Sequence, residues 1–226
     1  MPADDASYPR LLDGLTVEVN DSASIVFGTP LVRFMVPNAA ALNQGLRNLV
    51  LAREQSHPSR RVSNAGGWQS ATDFLGWGAP ECAALQQAMQ DGIRRADTLS
   101  PSQRALPPGS RTLLLSAWAN INRNRNYNRP HVHPGSHWSG VYYVDIGNPD
   151  PSVEHNGVIE FVDPRNVGAA APVPGFTFGD PCYFVPEPGM MLIFPSWLYH
   201  WVMPFYGTGQ RISIAFNALL DSKAKS

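Results

Sequence analysis

The sequence predicts a mainly β (α+β) chain in which two helices precede a β-sandwich or double-stranded barrel. Three observations carry that expectation. Beyond residue 110, apolar residues recur with a period of two through six segments. Asn, Pro and Gly separate those segments, as turns between short strands require. Helical spacing of apolar residues occurs in two stretches, both before residue 98.

Taken in order, residues 14–36 alternate or run apolar (LTVEV, SIVFG, LVRFMV), broken by Gly28 and Pro30, and predict strands at the start of a sheet. Asn38 is placed to cap a helix over AAALNQGLRNLVLAREQ, whose Leu42, Leu46, Leu49 and Val50 form one apolar stripe. The stretch RRVSNAGGWQSATDFLGWGAP is polar and glycine-rich, yet Trp68 and Trp77 mark it as an ordered, functional loop. PECAALQQAMQDGIRRA then opens with a proline where a helix tolerates one. The strand candidates are RTLLLSAWANI, HWSGVYYVDI, NGVIEFVDP, PCYFVPEPGMMLIF, LYHWVMPF and QRISIAFNALL. No domain boundary stands out, so one domain is expected over 1–226. Residues 1–110 supply strands, helices and the Trp-containing loop, 111–219 the β core, and SKAKS a solvated tail.

A chain of 226 residues can bury a full core. Its 17 Lys and Arg balance 18 Asp and Glu, a formal charge of -1, so there is no global electrostatic basis for binding nucleic acid or an anionic membrane. Anion recognition has to be local. Cys82 and Cys182 lie 100 positions apart with no CxxC pairing, which suggests neither a disulfide framework nor a structural zinc motif, and fits a reduced compartment. MPADDASYPRLLDG is acidic and lacks the apolar core of a signal peptide, and no run is long enough to span a bilayer. A soluble, cytoplasmic protein is expected.

Of the histidines, His57 and His155 sit in polar loops and read as surface residues. His131 and His133, in HVH, differ. Residues i and i+2 of a strand share a face, so two imidazoles can converge on one point. His200 can supply a third donor: a strand from Met190 to Phe194 ends at Pro195, the chain turns, and a histidine just past such a turn can face the barrel mouth. Three nitrogens on one face of a metal leave the other positions open for substrate and oxygen, as in a catalytic site rather than a closed structural one. Further on, QRISIAFNALL alternates, with Arg211, Ser213 and Ala215 on one face and Ile212, Ile214 and Phe216 on the other. An interior arginine is costly unless paired, and its fork beside a hydroxyl fits a carboxylate. Taken alone, that strand reads more plainly as one with a solvated arginine face.

The joint pattern HxH, about seventy residues, His, eleven, Arg-x-Ser resembles the iron(II)- and 2-oxoglutarate-dependent oxygenases, whose ligands are usually HxD/E…H with a following arginine. HVHPGSHWSGVYYV is similar to the family's ligand strand with its aromatic pair, NGVIEFVDPR to the next strand, and PGMMLIFPSWLYHWVMP…RISIAFN to its closing half. VSNAGGWQS is similar to a subgroup of unassigned substrate, so the resemblance covers roughly residues 60–218. By position, His131 and His200 match the iron-ligating histidines, Arg211 the arginine on the far carboxylate of 2-oxoglutarate, and Ser213 its hydroxyl partner. Tyr143 matches a tyrosine that some relatives place on that carboxylate, with Tyr142 facing outward or into the opposite layer. The resemblance implies a double-stranded β-helix (jelly-roll, cupin-like) core buttressed by the helices of residues 38–97. It implies Fe(II), 2-oxoglutarate and O2, and a dioxygenase that hydroxylates a small-molecule, amino-acid or peptidyl substrate through an iron(IV)-oxo intermediate.

One position departs from the pattern. His133 stands where the family has Asp or Glu, so the metal would keep its full charge, which favours a dianionic co-substrate and weakens retention of the metal. Three arrangements compete: His133 is a ligand, a carboxylate such as Asp145 or Glu160 completes the site, or His137 takes part. The first needs no rearrangement and is preferred. Two other functions stand beside the oxygenase: a three-histidine cupin-like dioxygenase without 2-oxoglutarate, and a non-catalytic β-sandwich that binds a carboxylate. Arg211 with Ser213 favours 2-oxoglutarate over the first of these. Trp138, Trp197 and Trp201 are candidate pocket walls, with at least one expected in the core. Arg123, Arg125 and Arg129, interleaved with Asn122, Asn124, Asn126 and Asn128, form either the rim of the mouth or a solvated loop whose Asn side chains fix turns. Metal affinity is expected to weaken below the ordinary histidine pKa of about 6.5.

Overall fold

The period-two segments assemble into two antiparallel sheets in a computed structural model that describes residues 29–99, 111–163 and 182–222. The N-terminal part holds strand β1 (Val32–Met35), helix α1 (Ala39–Ser56), the two-residue strands β2 (Asn64–Ala65) and β3 (Trp68–Gln69), and helix α2 (Pro80–Thr98). The core strands are β4 (Arg111–Asn122), β5 (Tyr127–His131), β6 (Trp138–Pro149), β7 (Ile159–Phe161), β8 (Cys182–Phe184), β9 (Met190–Pro195), β10 (His200–Val202) and β11 (Gly207–Ser222). The major sheet runs β1-β9-β6-β11-β4-β3 and the minor sheet β2-β5-β10-β7-β8. This is the double-stranded β-helix, or jelly roll, with buttressing helices. No helix among the described residues is long and apolar enough to cross a membrane.

The major sheet is buried on both faces. On one, Leu46 and Val50 of α1 and Leu85, Met89 and Ile93 of α2 pack with Ile212, Ile214, Phe216, Tyr142 and Ile193. On the other, Val141, Tyr143, Leu192 and Phe194 meet Ile159, Phe161 and Leu198 from the minor-sheet side. Double burial explains why MMLIF and VYYV run apolar without alternation. Tyr142 points to the helix layer, as the alternation required, and its hydroxyl donates to Asn43 Oδ1 at 2.6 Å.

Several local expectations change. Residues 14–28 lie outside the described residues, and of that region β1 is the strand observed. Asn38 precedes α1 but its side chain caps nothing. The residue is left-handed (φ 55°), a conformation asparagine tolerates and one that turns the chain from Pro37 into the helix. PCYFVPEPGMMLIF splits into β8 and β9 because Pro186, Pro188 and Gly189 (φ +90°) interrupt the pairing. HVHPGSHWSGVYYV is not one strand either: β5 ends at His131, Gly135 (φ +79°) lies in the turn, and β6 begins at Trp138 in the other sheet.

Gly140 of β6 shows how closely this sheet is packed: a Cβ there would meet the Phe216 ring and stand 2.7 Å from the Leu192 carbonyl oxygen. Gly140→Ala should therefore cost about 1–3 kcal/mol of stability, read as a lowered Tm. An unchanged Tm would show that Phe216 can move aside.

Candidate active site

His131 closes β5 and His200 opens β10, and the two are directly opposite each other in the antiparallel register, with Phe161 of β7 on the far side of His200. His200 reaches this position because β9 stops at Pro195 and a turn, closed by Leu198 N–H donating to Pro195 O at 3.0 Å, carries the chain from the major to the minor sheet. His133 lies beyond the end of β5, so strand geometry does not set its direction. A backbone bond does: His133 N–H donates to Ser196 O at 2.9 Å, tying it to the turn that carries His200.

One donor nitrogen from each of the three imidazoles lies within 4.8 Å of the others. The ring centroids are 4.4 Å apart for His131 and His200, 4.9 Å for His131 and His133, and 5.1 Å for His133 and His200. Nδ1 of His131 donates to Arg129 O at 2.6 Å and Nδ1 of His200 to Leu198 O at 2.8 Å, so each carries its proton on Nδ1 and leaves the Nε2 lone pair free. Nε2 of His133 and Nε2 of His200 are 3.3 Å apart. Burial, then the neighbouring imidazoles, pulls His133 down to about 3; burial, then His131, brings His200 to about 4; burial lowers His131 as well. Burial thus favours the neutral form that metal ligation requires in all three imidazoles, and holds His133 and His200 neutral well below 6.5.

Among the described residues no carboxylate joins this cluster. Asp145 is engaged elsewhere, accepting from Arg47 Nε and from Gly147 N–H, both at 2.9 Å. Glu160 is in register with Trp201, one residue out of phase with the pair Phe161 and His200. His137 Nδ1 accepts from Leu220 N–H at 3.0 Å, away from the three histidines.

Arg211 and Ser213 are both buried and face the space between the sheets, not solvent. They line an inner cavity with Tyr143, Asn120 and all three histidines. Arg211 Cζ lies 5.2 Å from the Tyr143 ring centroid, yet neither Tyr143 Oη nor Arg211 Nε has a hydrogen-bond partner. Burial raises the Tyr143 phenol to about 12, against the pull of the Arg211 cation, so both groups present donors to the cavity. An outer cavity of about 400 Å³ opens beside it, sharing Trp118, His131 and His133 as its wall.

Sequence reasoning missed Trp118, Asn120, Asn217 and Gln69. The first two were accessible to it: in RTLLLSAWANIN, Trp118, Asn120 and Asn122 alternate with Ala117, Ala119 and Ile121. Nothing local in the sequence singles out Gln69. Of the tryptophans proposed as walls, Trp138 belongs to the core under the helices, Trp197 is 54% exposed, and neither they nor Trp201 line these cavities. Arg123 forms a two-pronged pair with Glu54 at 2.7 Å, while Arg129 lines the outer cavity. Asn126 Oδ1 accepts from Arg123 N–H at 2.8 Å, one of the turn-fixing roles expected of the Asn run.

A family model described as "Putative 2OG-Fe(II) oxygenase" matches residues 116–217, just under half of the chain. No curated protein matches the sequence. Solved structures share the fold at low identity. A Pseudomonas putida prolyl-4-hydroxylase has 16% identity over 86% of this chain and 93% of its own, with a TM-score of 0.55. SnoK, a non-heme alpha ketoglutarate dependent carbocyclase from nogalamycin biosynthesis, has 9% identity over 85% and 80%, with a TM-score of 0.58. HygX from Streptomyces hygroscopicus, with nickel and 2-oxoglutarate bound, has 13% identity over 84% and 82%, with a TM-score of 0.52. Over residues 116–217 this chain is thus similar to the 2OG-Fe(II) oxygenases, and it shares the jelly-roll fold of solved members of that class. Iron(II) and 2-oxoglutarate are the cofactor and co-substrate of that class, and the three imidazoles could hold the metal.

The depressed values of His133 and His200 make stability depend on pH. As pH falls below the ordinary 6.5, the unfolded chain takes up protons that the folded cluster refuses, so the stabilisation present above 6.5 is lost down to about 3 to 4. Metal-free protein should lose Tm across that window, and His133→Asn should flatten the slope. Superimposable Tm-against-pH curves for the two proteins would contradict it.

Proposed function

We propose that His131, His133 and His200 hold Fe(II) on one face, that Arg211, Ser213 and Tyr143 bind the far carboxylate of 2-oxoglutarate, and that the enzyme hydroxylates a small-molecule, amino-acid or peptidyl substrate. The observation that carries this reading is Arg211. It is 2% exposed, its Nε has no partner, and no carboxylate among the described residues pairs with it. An unpaired buried cation costs on the order of several kcal/mol, which a bound anion recovers. Beside it Tyr143 Oη is an unpartnered buried donor and Ser213 adds a hydroxyl, so the pocket is built for an acceptor-only ligand, as a dicarboxylate is. A three-histidine dioxygenase without a co-substrate would not need Arg211, and a simple carboxylate-binding module would not need the imidazoles.

Bound iron would supply activation of O2 coupled to oxidation of 2-oxoglutarate. The chain's own contribution is placement. The carbonyls of Arg129 and Leu198 hold two imidazoles in the ligating tautomer, and Phe161 and Phe194 pack on His200 with centroids 5.8 and 4.7 Å from it, screening that ligand from water. The helices and the Trp-containing loop belong to the same unit in this reading, because α1 and α2 cover the outer face of the sheet that carries Arg211.

Anaerobic addition of Fe(II) and then 2-oxoglutarate should produce the visible metal-to-ligand charge-transfer band. Its absence from iron-loaded protein would end this reading. Arg211→Leu should raise the 2-oxoglutarate concentration needed for half of the band by about 100-fold. His133→Ala should weaken Fe(II) binding by at least the 10–100-fold typical of groups that merely support a ligand. Near-normal iron affinity in that variant would place the third ligand elsewhere.

A further inference from the structure

We infer that Gln69 is the specificity-determining residue of the outer cavity, and that the substrate places an N–H or O–H donor on its side-chain oxygen while laying an apolar face on Trp118. This deepens the oxygenase reading and rests on it for the word substrate.

Gln69 belongs to β3 and is directly opposite Asn120 of β4. Asn120 is opposite Ser213 of β11, and Ser213 is opposite Tyr143 of β6. Residues paired in register share a face, so four polar side chains form one row across four strands, facing the interior between the sheets. The Tyr143 end, with Arg211 beside it, offers donors to an anion. Gln69, at the other end, lines the outer cavity, is 4% exposed, and its Oε1 has no partner. Its backbone is held on both sides, by Gln69 N–H donating to Ser59 Oγ at 3.1 Å and Arg60 N–H donating to Gln69 O at 2.8 Å. The backbone is therefore fixed beside the cavity, and the side-chain oxygen, like Oδ1 of Asn120 next to it in the row, is buried and unsatisfied.

A dicarboxylate has no proton to give that oxygen. The complementary group is a donor, and the rest of the wall says what carries it. Trp118, Val62 and Val132 give the cavity an apolar surface, and its volume of about 400 Å³ suits a small organic molecule or one side chain of a peptide. A site built to receive a donor discriminates strongly against analogues that lack one, because its own buried group is then left unpaired. The ligand is thus an amide- or hydroxyl-bearing molecule with an apolar body.

The test compares matched probes on the full-length chain. Benzamide and N,N-dimethylbenzamide differ in N–H donors, and benzyl alcohol and benzyl methyl ether in one O–H. Dissociation constants are measured by titration of NMR shifts with and without Fe(II) and 2-oxoglutarate under anaerobic conditions. At least one donor-bearing member should bind about tenfold more tightly than its blocked partner, and the pair that shows it identifies amide or hydroxyl as the group. Gln69→Leu should bring that ratio to about one with Tm unchanged or raised, since an unsatisfied polar group is replaced by an apolar one. Gln69→Glu, which keeps an acceptor, should preserve the preference. No preference in the wild-type chain for either pair, or a preference that survives in Gln69→Leu, overturns the inference. The charge-transfer band is read on the same loaded samples: a missing band with the probe preference intact removes the 2-oxoglutarate reading and leaves the Gln69 site standing.

Discussion

Strand β11 has to satisfy two opposite environments at once, and the rest of the molecule is arranged around that demand. Ile212, Ile214, Phe216 and Ala218 are fully buried against the layer that contains both helices. Arg211, Ser213, Ala215 and Asn217 line the cavities on the other side. A slip of one residue would drive the guanidinium into the helix layer and the isoleucines into the polar pocket, so the register is strongly specified. Unbroken pairing with β4 from Arg211 to Ser222 fixes one edge of the strand. Pairing with β6 is interrupted between Thr208 and Arg211 and again between Ile212 and Ser213, irregularities that flank the arginine and set its aim.

The histidine cluster depends on a second constraint, the stitching of two turns. Ser196 accepts from His133 N–H and donates its own N–H to His137 O, so the chain leaving β5 and the chain leaving β9 are held side by side. That bond places His133 near His200. An Asp in the same position would have a shorter side chain and a charge to share with the metal, whereas an imidazole reaches further and stays neutral. Among the described residues the three-histidine cluster therefore has no built-in anion beside it.

Much of this was legible because periodicity and register are local in origin. The helix stripe of Leu42, Leu46, Leu49 and Val50, the proline opening α2, and the two faces of β11 all follow from spacing alone. Which face of β11 carried solvent was not local: Arg211 reads as exposed until a second sheet covers it. HVH illustrates the same limit, since i and i+2 suggested one strand, while Pro134 and Gly135 end the strand at His131 and a long-range backbone bond does the aiming. Gln69 lay beyond reach for a related reason. Its two-residue strand has no period to detect, and its partner Asn120 is distant in sequence.

The charges of the site make a single argument of these pieces. A carboxylate in the usual triad would offset part of the metal's charge and leave Arg211 to attract the co-substrate alone. With three neutral imidazoles and no acid among the described residues near them, the metal and Arg211 would present like charges to the same small cavity. On the proposed reading, a dianion spanning the two would relieve both at once, so the protein would give up some intrinsic hold on the metal and gain stronger coupling between metal and 2-oxoglutarate. On that reading, a histidine at position 133 where the usual triad has a carboxylate and a buried Arg211 with no carboxylate partner among the described residues would be two halves of one electrostatic design, in which the co-substrate would complete the charge balance that the polypeptide leaves open.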